Sequence, residues 1–213
     1  MSSAEAARGY LRERFPLSRF APLALLLAAP GILAGASPLS WVHLVAVLPA
    51  VLLAVLAFRV ADDLADRTHD AAALPERITV RAPSRRPFAG LAIAAGVVAV
   101  ALFAGAGDAY ERLGAVAAAA LLLAAWYALR QRLGDVRLLN AHVVLLKYPL
   151  LVVAAAGASG GRTGVLAGAG LVYVALLVHE VLDDGDLRGR PRTPLVAHDA
   201  TPPDSQFERV ACY

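Results

Sequence analysis

Apolar residues gather in six runs along the chain: Phe20–Ala36, Trp41–Val60, Phe88–Ala106, Leu113–Leu129, Leu138–Ala158 and Gly164–Leu182. A helix rises about 1.5 Å per residue, so roughly 20 apolar residues cross the ~30 Å of bilayer hydrocarbon. Each run is close to that length, with the first and fourth the shortest. The pattern predicts an all-α fold, a polytopic membrane helical bundle of about six transmembrane helices. Residues 1–188 form the helical domain, and 189–213, rich in Pro, Asp and Arg, form an irregular tail.

Composition agrees with the pattern. Of 213 residues 59% are hydrophobic and 17% charged, and the mean hydropathy is +0.61. Six apolar runs in a chain of this size leave no polar shell to enclose them, so a water-soluble domain is excluded. The single cysteine, Cys212, excludes an intramolecular disulfide framework and a four-cysteine metal site. Met1–Arg19 is polar and basic, without the apolar core of a cleavable signal peptide.

The net charge of +3 reports topology rather than nucleic-acid binding, because the arginines sit between apolar runs. Arg8, Arg12, Arg14 and Arg19 precede the first run, and Arg67, Arg77, Arg81, Arg85 and Arg86 follow the second. Arg130, Arg132 and Arg137 follow the fourth, and Arg188, Arg190, Arg192 and Arg209 the sixth. The opposite side holds only Arg112 and Arg162. By the positive-inside rule both termini are cytoplasmic, in a membrane expected to be the bacterial cytoplasmic membrane. Trp41 and Tyr110 then mark the outer interface, and Trp126 and Tyr127 the inner one.

Two acidic clusters stand at predicted cytoplasmic helix ends. The first is Asp62-Asp63-x-x-Asp66-x-x-x-Asp70, preceded by Arg59 and followed by Arg67. On a helix that continues past the membrane, Asp63, Asp66 and Asp70 fall at i, i+3 and i+7 on one face. Carboxylates stacked so repel one another unless a cation lies between them. Hard oxygen ligands suit Mg²⁺, which takes one or two carboxylates plus substrate phosphates. A solvated acidic helix end, neutralised by Arg59 and Arg67, is the plainer alternative. The second cluster is His179-Glu180-x-x-Asp183-Asp184-Gly-Asp186, in which Glu180 shares a helical face with Asp183 and Asp184. No second histidine stands at helical spacing from His179, which argues against zinc.

The fifth run holds Lys147, the only lysine of the chain, together with Asn140 and His142. An ionisable group at membrane depth is costly and faces a bundle interior or cavity. Asn140 and Lys147 lie seven residues apart on nearly one face, with His142 rotated away. A pair with an acidic residue of the bundle is the structural alternative for Lys147. The small residues of 115–120 and 154–170 suit close helix approach.

The first cluster resembles the Asn-Asp-x-x-Asp-x-x-x-Asp motif of the UbiA-type intramembrane prenyltransferases, with Asp62 in place of Asn. Leu74-Pro75-Glu76-Arg77 and Arg85-Arg86-Pro87 resemble the proline- and arginine-rich loop after it. The family's second motif, Asp-x-x-x-Asp-x-x-x-Asp, is matched by Glu180 and Asp184, while Arg188 holds its third place. The resemblance implies transfer of a prenyl group from an allylic prenyl diphosphate to an aromatic or lipid acceptor, with Mg²⁺ as cofactor. It implies a metal set of Asp62, Asp63, Asp66, Asp70, Glu180, Asp183 and Asp184. Arg59, Asn140 and Lys147 are implied to meet the diphosphate, and Asp63, Asp66, Asp70 and Lys147 to act in catalysis. Phe58, Tyr148 and Tyr173 are candidates to shield an allylic cation with their π faces. Members of the family have further helices after the sixth, so the resemblance implies either a homodimer that completes the bundle or a divergent or inactive relative. A membrane terpene synthase that cyclises the cation is the alternative within the superfamily. A non-catalytic scaffold or subunit retaining the acidic helix ends is the alternative outside it.

Overall fold

A computed structural model of the chain describes residues 2–33, 41–133, 137–158 and 162–189, with the side chains of α10 described as far as Leu182. The described residues are helical and contain no strand. In order they form α1 (Ser3–Arg14), α2 (Leu17–Leu33), α3 (Trp41–Ala65), α4 (Arg67–Ala73), α5 (Ile78–Arg81) and α6 (Arg86–Gly105). Then follow α7 (Ala109–Leu133), α8 (Arg137–Leu145), α9 (Lys147–Ala156) and α10 (Arg162–Gly189). In hydrocarbon no water can satisfy a free N–H or C=O, so a spanning segment satisfies its own backbone by coiling.

Among the described residues five stretches are long and apolar enough to cross a membrane: Val45–Ala65, Arg86–Gly105, Ala109–Arg130, Leu139–Ala156 and Arg162–Leu182. That is one fewer than the six apolar runs suggest. The helix of the first run, α2, carries Pro22 and Pro30, and its apolar part spans Leu17–Gly31. Over the described residues its ~22 Å is shorter than the hydrocarbon thickness. Leu121, Ile93, Val97, Leu166 and Leu171 are exposed along the outside of the bundle, an arrangement that suits lipid rather than water.

At the centre stands α9, packed by α2, α7 and α10, with α3 touching it and α6 lying along α3. Its Leu151, Val152, Ala154 and Ala155 are buried. Small residues let the neighbours close in, as the alanine and glycine content predicts. A methyl group on Gly31 of α2 would stand 2.6 Å from the backbone nitrogen of Ala156, so α2 meets α9 backbone to backbone. The C-terminal carbonyls of α9, Ala154 and Ala155, receive the buried guanidinium of Arg112 at 2.8 and 2.6 Å. Sequence places Arg112 in an outer loop, whereas it lies within α7 and satisfies carbonyls that α9 itself leaves free.

At the other end of the bundle α1 starts with a capping box. The Ser2 hydroxyl accepts from the Glu5 amide, and the Glu5 carboxylate accepts from the Ser2 amide. One side of α1, Ala6 and Tyr10, is buried against α6, where the Tyr10 ring meets Phe88 at 5.8 Å.

Candidate functional site

The first acidic cluster does not continue α3 as one helix. The chain bends at Asp66, between Ala65 and Arg67, although the amides of Asp66 and Asp70 still bond to the carbonyls of Asp62 and Asp66. Successive residues on a helix point about 100° apart, so neighbouring aspartates serve different neighbours. Asp62 turns inward to α9 and α7, where it accepts from the Lys147 ammonium and the Tyr127 hydroxyl. Asp63 turns to α1 and accepts from Tyr10 at 2.8 Å and from both Nε and a terminal nitrogen of Arg14, at 3.1 and 2.8 Å. Arg59 approaches the same carboxylate at 3.6 Å. Asp66 pairs with Arg130 of α7 at 2.6 Å, and buried Asp70 with Arg77 at 2.5 Å. Of Arg59 and Arg67, expected to neutralise a solvated helix end, only Arg59 reaches a carboxylate of the cluster; Lys147, Arg14, Arg130 and Arg77 supply the closer pairs. Arg67 instead donates to the carbonyls of Val80 and Ala82.

Lys147 owes its place to a break in the fifth apolar run. Pro149 has no amide to offer the carbonyl of Leu145, and its ring crowds that carbonyl. The helix therefore ends at Leu145 and restarts at Lys147, which is buried at the first turn of α9. Beyond the break Asn140 accepts from the Trp126 indole at 2.8 Å and from Arg130 at 3.3 Å. Trp126 and Tyr127 therefore point their polar atoms into the bundle rather than marking an interface. Trp41 and Tyr110, at the other end, are exposed. His142 bonds to the Tyr173 hydroxyl.

These side chains surround a cavity of about 210 Å³ lined by Arg59, Asp62, Asp66, Tyr127, Arg130, Asn140, Lys147, Tyr148 and Glu180, among others. Segments far apart in sequence thus bring three cations, Arg59, Arg130 and Lys147, and three carboxylates, Asp62, Asp66 and Glu180, to one space. The Lys147 ammonium lies 5.2 Å from the centre of the Tyr148 ring. The Arg59 Nε is buried without a hydrogen-bond partner.

Of the residues singled out by sequence, Arg59, Asp62, Asp66, Asn140, Lys147, Tyr148 and Glu180 meet at this cavity. Asp63 and Asp70 do not line it; their carboxylates belong to the α1 clamp and to Arg77. Phe58 is buried in the core, and Tyr173 belongs to the His142 pair. The side chains of Asp183 and Asp184 lie outside the described residues, although the backbone of α10 continues as helix past both to Gly189. Sequence did not single out Tyr127 or Arg130 for this site, nor Tyr10 and Arg14 for the clamp. The capping box at Ser2 and the i, i+3 pair Tyr127/Arg130 were available signals for both.

Among the described residues no group of three acidic, histidine or cysteine side chains is placed to cage a metal ion. Mg²⁺ needs no such cage when phosphates complete its shell. Asp66, whose side chain is 42% exposed, and the exposed Glu180 are the cavity's accessible carboxylates. Their hard oxygens fit an ion that arrives with a phosphorylated ligand. In the clamp, burial and the neighbouring Asp63 carboxylate push the Tyr10 hydroxyl far above its ordinary range. The hydrogen bonds to Asp63 raise Arg14 further still.

Comparison with known protein families, with curated proteins and with solved structures returns no match.

Proposed function

We propose that the chain is an intramembrane prenyltransferase of the UbiA type, moving a prenyl group from an allylic prenyl diphosphate to an aromatic or lipid acceptor. The observation that carries it is the cavity where Asp62, Asp66, Glu180 and Lys147 meet, uniting both acidic segments with the only lysine. Arg59, Arg130 and Lys147 would bind the diphosphate oxygens, each through a charge-assisted hydrogen bond. Asn140 holds Arg130 in position for that role. Asp66 and Glu180 would hold Mg²⁺, which neutralises charge on the departing diphosphate. In the transfer the allylic C–O bond breaks, the diphosphate leaves with the electron pair, and the acceptor bonds to the allylic carbon and loses a proton. Lys147 would exchange Asp62 for a phosphate oxygen as that charge develops, while Asp62 keeps the Tyr127 hydroxyl. Tyr148, beside Lys147, offers a π face to the cation. Cyclisation without an acceptor would use the same binding groups.

Both termini would be cytoplasmic, in keeping with the arginine distribution, with α2, which runs from the Asp63 end of the bundle to the Ala156 end of α9, as a short sixth crossing. Incubation of the purified protein with labelled geranyl diphosphate and Mg²⁺ tests the activity. A prenylated acceptor supports transfer, a cyclic terpene supports the synthase, and no Mg²⁺-dependent binding defeats both.

A second reading has an observation in its favour. Asp62, Asp63, Asp66 and Asp70 each already hold a basic partner. A non-catalytic membrane subunit would use the same network as a structural lock.

A further inference from the structure

A separate cavity lies between the α1–α2 elbow and the middle of α3. Its volume is about 410 Å³, within the range of ligand pockets, and Leu11, Arg12, Phe15, Leu17, Leu52 and Leu56 line it. Leu52 and Leu56 belong to the membrane-crossing stretch Val45–Ala65, so this wall stands at hydrocarbon depth. The opposite wall comes from the end of α1, where Leu11 and Phe15 continue the apolar lining and Arg12 is the one charged residue at its edge, with exposed Arg8 one turn further along the same side of the helix. Among the described residues neither arginine takes part in an ion pair.

We infer that this groove is a binding site for an anionic phospholipid, with an acyl chain along Leu52 and Leu56 and the phosphate on Arg12 at the groove's edge, within reach of Arg8 one turn beyond it. Charge complementarity selects the occupant. A neutral lipid would fill the apolar wall and leave the arginines without a counter-charge. A soluble phosphate would satisfy the arginines and leave the leucines bare. At the elbow the buried Phe15 ring stacks on Phe20 at 4.1 Å, joining the end of α1 to the start of α2. The site does not depend on the prenyl-transfer proposal, since the groove shares no lining residue with the charged cavity.

The test uses the full chain in detergent with Leu11→Trp as a reporter at the groove. Its quenching by bromine-labelled lipids is measured against the same lipids with the unsubstituted protein, which corrects for Trp41 and Trp126. Phosphatidylglycerol should be preferred over phosphatidylcholine, by about fivefold for each arginine. Arg8→Gln with Arg12→Gln should abolish the preference, and Leu52→Phe, which fills the groove without touching the charge or adding a tryptophan, should reduce binding of both lipids. A protein that still elutes as a single species with full helical content qualifies each variant. Equal quenching by the two lipids overturns the inference, since it marks only the general lipid annulus. A preference that survives loss of both arginines overturns it, as does displacement of the lipid by glycerol phosphate alone.

Discussion

The ammonium of Lys147 and the carboxylate of Asp62 form a buried ion pair between residues 85 positions apart, with the Tyr127 hydroxyl on the second carboxylate oxygen. Their side chains are only 2% and 11% exposed. Removing one partner of such a pair strands the other charge and costs about 3–5 kcal/mol, whereas removing both charges costs far less. Lys147→Met should therefore lower thermal stability in detergent sharply, and Asp62→Asn with Lys147→Met should regain most of it. The double variant then reports on the ligand: folded, it should bind prenyl diphosphate more weakly than the parent. Normal binding would remove Lys147 from the diphosphate site.

The clamp on Asp63 ties α1 to α3. Tyr10→Phe deletes one hydrogen bond to a buried carboxylate, and Arg14→Gln deletes a two-point ion pair; each should cost about 1–3 kcal/mol. Trypsin cleavage after Arg8 and Arg12 should speed up in both variants. The pH dependence has a definite sign. Because the Tyr10 pKa is raised in the fold, its contribution is whole below the ordinary tyrosine value of about 10 and fades as pH rises beyond it. The difference between parent and Tyr10→Phe should stay flat from neutral pH to about 9 and shrink above 10.

Gly31 and Gly170 give an internal contrast. A methyl on Gly31 meets backbone at 2.6 Å, whereas nothing lies within 4 Å of one on Gly170. Gly31→Ala should force α2 off α9 at a cost of about 1–3 kcal/mol. Gly170→Ala should be neutral or stabilise by up to about 1 kcal/mol through helix propensity. Thermal unfolding of the two variants side by side decides it.

Topology follows from the arginine asymmetry. Reporter fusions at Arg81 and Arg162 should fall on opposite sides of the membrane, with Arg81 cytoplasmic. The same side for both would overturn the orientation.

The apolar runs were legible because a lipid solvent demands long hydrophobic stretches, and a described helix lies in each of the six. The exception is α2, whose described apolar part, Leu17–Gly31, is shorter than a full span and carries Pro22 and Pro30 within the helix. That Lys147 needs a bundle-facing position was legible from its cost in hydrocarbon, and Pro149 marks the break that seats it. The pairing of the aspartates was not legible. Arg14 and Asp63 are 49 residues apart, and nothing in local spacing says that a basic N-terminal segment folds back as α1 to hold that carboxylate. Helical spacing suggested one shared face for Asp63, Asp66 and Asp70, but tertiary partners and the bend at Asp66 send them to α1, Arg130 and Arg77. Trp126 and Tyr127 misled for a related reason: an aromatic ring with a polar tip serves a membrane interface and a bundle interior equally well.

The central claim, that the charged cavity binds Mg²⁺ and a prenyl diphosphate together, is tested most directly at Asp66. Its side chain is accessible and its pair with Arg130 is partly solvated, so the pair itself adds little to the fold. Asp66→Asn keeps the size and removes the charge that Mg²⁺ needs. The measurement is the melting temperature of parent and variant in detergent, with and without Mg²⁺ and geranyl diphosphate. The parent should gain stability only when both are present, and Asp66→Asn should melt near the unliganded parent and gain nothing. A parent that ignores the ligand, or a variant that is less stable yet still gains from it, would contradict the claim.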